Sequence, residues 1–171
     1  MRRNHPRPLR RTALIVGEGF AEVELQRHLK SLLTANRQGC ELTIRNARGR
    51  GAGHVVQYAI AQMRNAEFDR IGVLLDTDHD WTQATQACAR RANVQVFSSD
   101  PCLEAWLLRL VGEPVRNGIT SAQVKQQFKR FAKAEAHEQG VIADLLTLDA
   151  LNAAIDRDET LARLVQLIRD P

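Results

Sequence analysis

The stretch RIGVLLDTDHD, residues 70–80, decides the predicted fold. Apolar residues follow one another almost without interruption from Ile71 to Leu75, which is typical of strands that are buried on both faces of a parallel sheet. The run is followed directly by three acids, Asp76, Asp78 and Asp80. The stretch therefore predicts a central parallel strand that ends in an acidic loop.

Three more apolar runs precede segments with helical spacing, so that strands and helices alternate through the first two thirds of the chain. The strands are predicted over Ala13–Val16, from Leu42 onward and over Val94–Phe97. Helices are predicted over residues 21–35, 54–65 and 81–92, and a fourth is expected to have Asp100 as its cap and Pro101 in its first turn. This alternation predicts an α/β fold with a mainly parallel sheet flanked by helices.

The chain has 171 residues, which favours one domain with a core of its own. We expect the α/β domain over residues 12–112 and, because only helical periodicity follows, a helical extension over 113–171 packed on the same domain. Residues 1–11 form a basic tail, expected to be flexible, with five arginines. Without these five, the 24 basic and 20 acidic residues become 19 and 20, so the net charge of +4 belongs to the tail. The tail is either a phosphate-binding segment or an ordinary basic terminus.

Composition excludes several classes of protein. No apolar run approaches the roughly 20 residues of a membrane span, and the run after the basic start is too short for a signal peptide. The three cysteines, Cys40, Cys88 and Cys102, are widely spaced, which indicates neither a disulfide framework nor a zinc site. We therefore expect a cytoplasmic protein that has no membrane partner.

Acidic residues follow two of the predicted strands. Ligands collect beyond the carboxyl ends of parallel strands, so Glu18 and Asp76 are expected to share a crevice. Neighbouring carboxylates repel one another unless a cation neutralises them, and oxygen ligands suit Mg²⁺, or Mn²⁺ in its place. The candidate metal ligands are Asp76, Asp78, Asp80 and Glu104, and the candidate catalytic acids are Glu18 and Glu22. Alternatively, these acids only stabilise helix starts or, for Glu104, face solvent.

A glycine-rich segment with two arginines, RGRGAGH at residues 48–54, lies between the second strand and its helix. Its backbone amides, with Arg48 and Arg50, suit a backbone phosphate of a nucleic acid, whereas the alternative is a surface loop. His54 and His79 flank the acidic and glycine-rich loops and are further candidates for nucleic-acid binding. A basic face formed by Lys125, Lys129 and Lys133 either binds nucleic acid or is the solvated side of a helix.

Three motifs resemble a known family. GEGFAE at residues 17–22 and LLDTDHD at 74–80 resemble, in this order, the Toprim domain of topoisomerases, primases and OLD-type nucleases. SDPCLEAWLL at 99–108 is similar to a motif of the RloB-like branch of Toprim proteins, with Asp100 in place of an asparagine and Leu103 in place of a phenylalanine. The resemblance covers most of residues 12–112, although the RloB-like pattern usually has a Thr-Glu pair where this chain has Ala21 and Glu22.

The resemblance implies a Toprim-like fold and a Mg²⁺-dependent nuclease. Glu18 would then act as acid or base with Glu22 as a second acid, while Asp76 and Asp78 would hold the metal ion. RloB-like proteins are found at restriction and phage-defence loci, which implies antiviral defence or abortive infection, with a protein partner from such a system.

Two other functions stay open. The chain could be a non-catalytic module that senses a nucleotide and signals through partners, either as one chain or as an oligomer. A phosphoacceptor similar to response regulators would share the acidic pocket, but no lysine is placed at a last strand end to complete it. The sequence leaves DNA, RNA and small nucleotides equally open as ligands, because no motif in it reads a base.

Overall fold

The computed structural model describes residues 10–35, 39–77 and 80–169, with four strands and eight helices in these ranges. The strands are β1 (Thr12–Gly17), β2 (Glu41–Asn46), β3 (Arg70–Asp76) and β4 (Gln95–Ser99). The helices are α1 (Phe20–Leu33), α2 (Gly51–Met63), α3 (Gln83–Arg91), α4 (Leu103–Leu110), α5 (Ser121–Ala132), α6 (Val141–Leu145), α7 (Leu148–Ile155) and α8 (Glu159–Arg169). None of the described helices combines the length and the apolar character that crossing a bilayer requires.

The four strands form one parallel sheet in the order β2-β1-β3-β4. β3 lies inside the sheet, and its residues from Ile71 to Leu75 are buried, as its unbroken apolar run predicts. The register places Gly17 of β1 between Asn46 of β2 and Leu74 of β3. The predicted α/β class, with a parallel sheet flanked by helices, is confirmed.

Helices cover both faces of the sheet because successive strand residues point to opposite sides. Leu14 and Val16 of β1 face a core that α2 and α3 complete. Ala13 and Ile15 face a second and larger core, which contains buried residues of α1, α4, α5, α7 and α8. β1 is thus buried on both faces and anchors the two cores to each other.

The C-terminal helices pack into the larger of these two cores. Phe128 of α5 and Leu164 of α8 are buried together with Phe97 of β4. The indole of Trp106 donates a hydrogen bond to Asp158 at 2.9 Å, which ties α4 to the start of α8. Truncation of a buried Phe such as Phe128 to Ala costs about 3–5 kcal/mol in well-packed cores. These helices therefore contribute to the stability of the sheet.

Two helix starts differ from the prediction. α4 begins at Leu103 with Cys102 as its N-cap, so Asp100 is not the cap and Pro101 lies before the helix. The carboxylate of Asp100 instead accepts a hydrogen bond from the Thr77 hydroxyl at 3.3 Å. α2 begins at Gly51, three residues earlier than predicted, with Arg50 as its N-cap.

The basic tail lies largely outside the described residues, which begin at Arg10. The Arg10 guanidinium donates hydrogen bonds to the carbonyl oxygens of Gly39 at 3.2 Å and Cys40 at 2.9 Å. All three cysteines are free thiols, with Cys40 and Cys102 buried and Cys88 half-buried. Arg10, at the tail's end, is therefore attached to the start of β2.

Candidate active site

A crevice opens where the sheet reverses its winding direction. The helix after β1 packs on one face of the sheet, and the helix after β3 packs on the other, although β1 and β3 are neighbours. In open α/β sheets, ligands bind at such a switch point, beyond the carboxyl ends of the strands. Glu18 follows β1 and Asp76 ends β3, so both lie at this point. The backbone amide of Asp76 donates to Glu18 Oε2 at 3.2 Å, which places the two predicted residues side by side.

Glu22 lies in the first turn of α1 and is almost fully buried. Its Oε2 accepts a hydrogen bond from the backbone amide of Gly19 at 2.8 Å, which holds the carboxylate over the β1–α1 turn. Burial raises the pKa of Glu22, and the charges of Glu18 and Glu104 add to this rise. A Cβ on Gly17 would lie 2.9 Å from Glu22 Cβ, so the glycine allows this close approach of helix and strand.

Asp76, at the end of β3, is a half-buried acid of the crevice. The Ser99 hydroxyl donates to its Oδ1 at 2.6 Å, because β3 and β4 pair with Asp76 opposite Ser99. Burial raises the pKa of Asp76 to about 8, with further contributions from the charges of Glu22, Glu18 and Glu104. At neutral pH, the carboxyl therefore retains a proton unless a cation takes its place.

Glu104 and Lys125 complete the electrostatics of the crevice. Glu104 lies in the first turn of α4, and its charge helps to raise the pKa of both Glu22 and Asp76. Burial lowers the pKa of Lys125 on α5, but Glu104, Cys102, Asp76 and Glu22 outweigh this effect, so the net shift is upward. The lysine thus supplies a positive charge near an otherwise acidic cluster.

The DTDHD loop contains two further predicted ligands, Asp78 and Asp80. Asp80 is exposed, and its Oδ2 lies 2.6 Å from the position that a Cβ on Gly51 would take. Asp80 therefore lies beside the start of α2. Asp78 and His79 lie outside the described residues.

The RGRGAGH segment contacts the acidic crevice through its backbone. The amide of Gly49 donates to the carbonyl oxygen of Glu18 at 2.7 Å, and the amide of Arg48 donates to Asn46 Oδ1 at 2.7 Å. His54 lies in the first turns of α2, with Nε2 3.2 Å from the carbonyl oxygen of Ala47. The structure thus brings the predicted phosphate-binding loop beside Glu18.

The donor chemistry of the crevice fits a hard divalent cation. Its ligands would all be carboxylate oxygens, from Glu18, Glu22, Asp76 and Glu104. The charges of the three glutamates also help to raise the pKa of Asp76. Within residues 10–35, 39–77 and 80–169, however, no three His, Cys, Asp or Glu side chains are placed to hold a metal ion together. A complete coordination sphere would therefore need a ligand from outside these residues, such as Asp78, or a shift of the acids on binding.

Two polar residues of this region were not singled out from the sequence. Ser99, 1% exposed, bonds Asp76, and its position at the head of the SDPCLEAWLL motif was the available signal. Gln26 is fully buried, one helical turn after Glu22, and neither of its amide atoms has a hydrogen-bond partner in the described structure. An unsatisfied buried amide costs about 1–3 kcal/mol. No periodicity signal distinguishes this glutamine from a solvent-facing one.

The fold and the crevice define a class: α/β proteins that carry an acidic site at the switch point of a parallel sheet. A model of the family described as "RloB-like protein" matches residues 13–166, so the chain belongs to the RloB-like family. No curated protein and no solved structure matches the chain. The predicted family is confirmed.

Proposed function

We propose that this protein is a Mg²⁺-dependent nuclease with a Toprim-type site that acts in phage defence or restriction-linked abortive infection. One observation carries the proposal: the half-buried Asp76 at the switch point is joined to Glu18 through its backbone amide, and the charges of Glu22, Glu18 and Glu104 help to raise the pKa of its carboxyl. Such a cluster is costly without a cation, and a divalent ion would offset that cost. Mn²⁺ has similar ligand preferences and is expected to replace Mg²⁺.

Each acid has a separate role in this proposal. Asp76, with Asp78, would hold the metal ion, which supplies Lewis-acid polarisation of a phosphoryl oxygen when bound. Glu18 would take a proton from the attacking water or return one to the leaving oxygen. Glu22, fixed by its bond to the Gly19 amide, is a second acid beside Glu18. Arg48 and Arg50 would bind neighbouring phosphates of the substrate.

The test combines metal binding and cleavage on the same samples. Mg²⁺ and Mn²⁺ are titrated by calorimetry into the wild type, Glu18→Gln and Asp76→Asn, and cleavage of single- and double-stranded DNA and RNA is followed with each protein. We expect Asp76→Asn to lose metal binding and cleavage, and Glu18→Gln to lose cleavage while circular dichroism shows both variants folded.

Glu67→Gln is the matched control, because Glu67 is an exposed acid just before β3, at the opposite end of the sheet. This variant is expected to bind metal and cleave like the wild type. Cleavage retained in both Asp76→Asn and Glu18→Gln would overturn the nuclease proposal.

A second candidate is a non-catalytic module that binds a nucleotide and signals through a protein partner. It is favoured by the lack of a complete three-residue metal group in the described part of the chain. Nucleotide binding by a wild type that neither binds Mg²⁺ nor cleaves any of the four substrates would support it over the nuclease.

A further inference from the structure

A basic cavity of about 520 Å³ lies between the C-terminal half of the edge strand β2 and α2. Five of its lining residues carry the argument: Arg45, Arg48, Arg50, His54 and Tyr58. Among the described residues, no acid contributes to the lining. The cavity therefore differs in charge from the acidic crevice, which begins at the adjacent strand β1.

The arginines of the basic cavity have no acidic partners in the part of the chain that the structure describes. Among the described residues, none of the three guanidinium groups forms a salt bridge, and Arg45 donates only to the carbonyl oxygen of Ile44, at 3.1 Å. All three residues are exposed. Unpaired positive charges lining one concave surface attract an anion, and guanidinium groups suit the oxygens of a phosphate.

The loop that carries two of these arginines is anchored to the acidic crevice. Arg48 and Arg50 have φ values of 63° and 77°, so both adopt the left-handed conformation that non-glycine residues seldom occupy. Gly49 between them donates its amide hydrogen to the Glu18 carbonyl at 2.7 Å. A phosphate on these arginines would therefore lie close to the crevice in which Glu18 and Asp76 meet.

Two rings occupy the helical side of the cavity. His54 and Tyr58 are four residues apart on α2, and their ring centroids are 6.2 Å apart with an interplanar angle of 48°. Both side chains are half-buried, so part of each ring is accessible from the cavity. Aromatic faces bind bases by stacking, which requires a base that is free of a duplex.

We propose that the basic cavity binds one nucleotide of a single-stranded nucleic acid, with its phosphate on Arg48 and Arg50 and its base against Tyr58. This inference extends the proposed nuclease function. It rests on that function only for the claim that a scissile bond adjoins the bound nucleotide. It names the substrate class as single-stranded nucleic acid. The same chemistry would also accept a free mononucleotide, so the experiment compares the two.

The test is binding without metal, measured by fluorescence anisotropy in EDTA with a labelled twelve-residue oligothymidylate. An equally long DNA duplex and thymidine monophosphate serve as competitors. We expect the single strand to compete at least about tenfold better than either. Tyr58→Leu is expected to weaken strand binding about 5- to 100-fold, the range for one lost stack, while Tyr58→Phe keeps the ring and the affinity. Arg48→Gln should reduce the slope of log affinity against log salt by about 0.7.

Arg64→Gln is the matched control, since Arg64 is an exposed arginine at the other end of α2. It removes the same charge and is expected to leave the affinity and the salt slope nearly unchanged. If Tyr58→Leu fails to fold, the exposed Arg48 still gives a decisive result. Equal binding of strand and duplex, equal binding of strand and mononucleotide, or unchanged binding in both Tyr58→Leu and Arg48→Gln would each overturn the proposal.

The binding assay separates this proposal from the nuclease proposal. Asp76→Asn is expected to bind the oligonucleotide as the wild type does, since the assay needs no metal and no cleavage. Strand binding that depends on Tyr58, in a protein that cleaves nothing, would overturn the nuclease alone. Cleavage that depends on Asp76, with strand binding indifferent to Tyr58 and Arg48, would overturn the cavity proposal alone.

Discussion

The acidic crevice and the basic cavity lie at the same edge of one sheet, yet their charges are balanced in different ways. In the crevice, burial and neighbouring acidic charges raise the pKa of Asp76 and of Glu22, and Asp76 accepts a hydrogen bond from Ser99. In the cavity, exposed arginines share the space with two rings and have no acidic partners among the described residues. The crevice is thus mainly acidic, with Lys125 as a nearby positive charge, and the described lining of the cavity is basic. A phosphodiester accompanied by a divalent cation would satisfy both.

The largest expected effect is on the cleavage rate, and it distinguishes the function of the acidic crevice from that of the basic cavity. Asp76→Asn should lower the cleavage rate by about 100-fold or more, the size of loss typical for an essential catalytic group, and leave strand affinity unchanged. Arg48→Gln should instead weaken strand binding, leave Mg²⁺ affinity the same and, with saturating substrate, lower the cleavage rate much less than Asp76→Asn does. Cleavage rates, anisotropy and metal calorimetry on both variants check this. The comparison fails if the two variants lose the same property.

The next effect concerns stability in the absence of metal. The pKa of Asp76 is 3.8 in the unfolded reference and about 8 in the folded protein, so unfolding releases a proton between these values. The free energy of unfolding should therefore fall as pH rises from about 4 to 8, with a slope of up to about 1.4 kcal/mol per pH unit. Urea unfolding at pH 4.5 to 8 measures it.

Two variants serve as controls for the pH dependence of the free energy of unfolding. Asp76→Asn removes the titrating group and should flatten the slope, whereas Glu67→Gln at the far end of the sheet should retain it. Mg²⁺ at saturating concentration should also flatten the slope, since it would bind the ionised form. A wild-type stability that rises with pH over this range would contradict the buried, protonated state of Asp76.

Two glycine substitutions, one in each region, are expected to change the stability of the protein in opposite directions. A Cβ on Gly17 would meet Glu22 Cβ at 2.9 Å, so Gly17→Ala should destabilise the protein by about 1–3 kcal/mol and slow cleavage. Gly53, in the first turn of α2, has only the Thr85 hydroxyl near its Cβ position, at 3.7 Å. Gly53→Ala should therefore stabilise by up to about 1 kcal/mol through helix propensity. Thermal unfolding of both variants measures the difference, and equal signs would refute this account.

The smallest effect is the coupling of Lys125 to the crevice. At pH 9, where Asp76 is ionised, a double-mutant cycle of Lys125→Gln with Asp76→Asn should give a coupling of a few tenths of a kcal/mol, as for exposed charges. The matched cycle with Lys129→Gln should give none, because Lys129 pairs with Glu135 at 3.0 Å. Urea unfolding at low and at 0.5 M salt measures both cycles, and the Lys125 coupling should vanish at high salt. A coupling that is insensitive to salt would argue against a through-space charge effect.

Much of the fold was predictable because it depends on local patterns. The unbroken apolar run before Asp76 indicated a strand with two buried faces, and the alternation of strands with helices indicated a parallel sheet. The start of α4 was wrongly predicted, since Asp100 bonds Thr77 instead of capping the helix. Capping residues have several possible partners, and contacts with a neighbouring strand end decide among them.

The candidate site was predictable only in part. The sequence indicated acids after two strands, and the structure joins Glu18 to Asp76 by a hydrogen bond at the switch point, where the charges of Glu22 and Glu104 also act on Asp76. It also places Asp80 beside Gly51 and adds Ser99 as a hydrogen-bond donor to Asp76. Lys125 belongs to a basic face with i, i+4 spacing, and such a face is equally typical of the solvated side of a helix. Its proximity to the acids depends on the packing of α5 on α4, which the spacing does not indicate.

The sequence by itself determined the family, the class of fold and the acids at the strand ends, because all three depend on short sequence segments. Only the tertiary structure decided which acids meet and which cavity adjoins them. Glu18 and Asp76 are 58 residues apart along the chain, and they become neighbours because the strand order places β1 beside β3. Strand order depends on how helices cover both faces of the sheet, which is a long-range property that local periodicity does not encode.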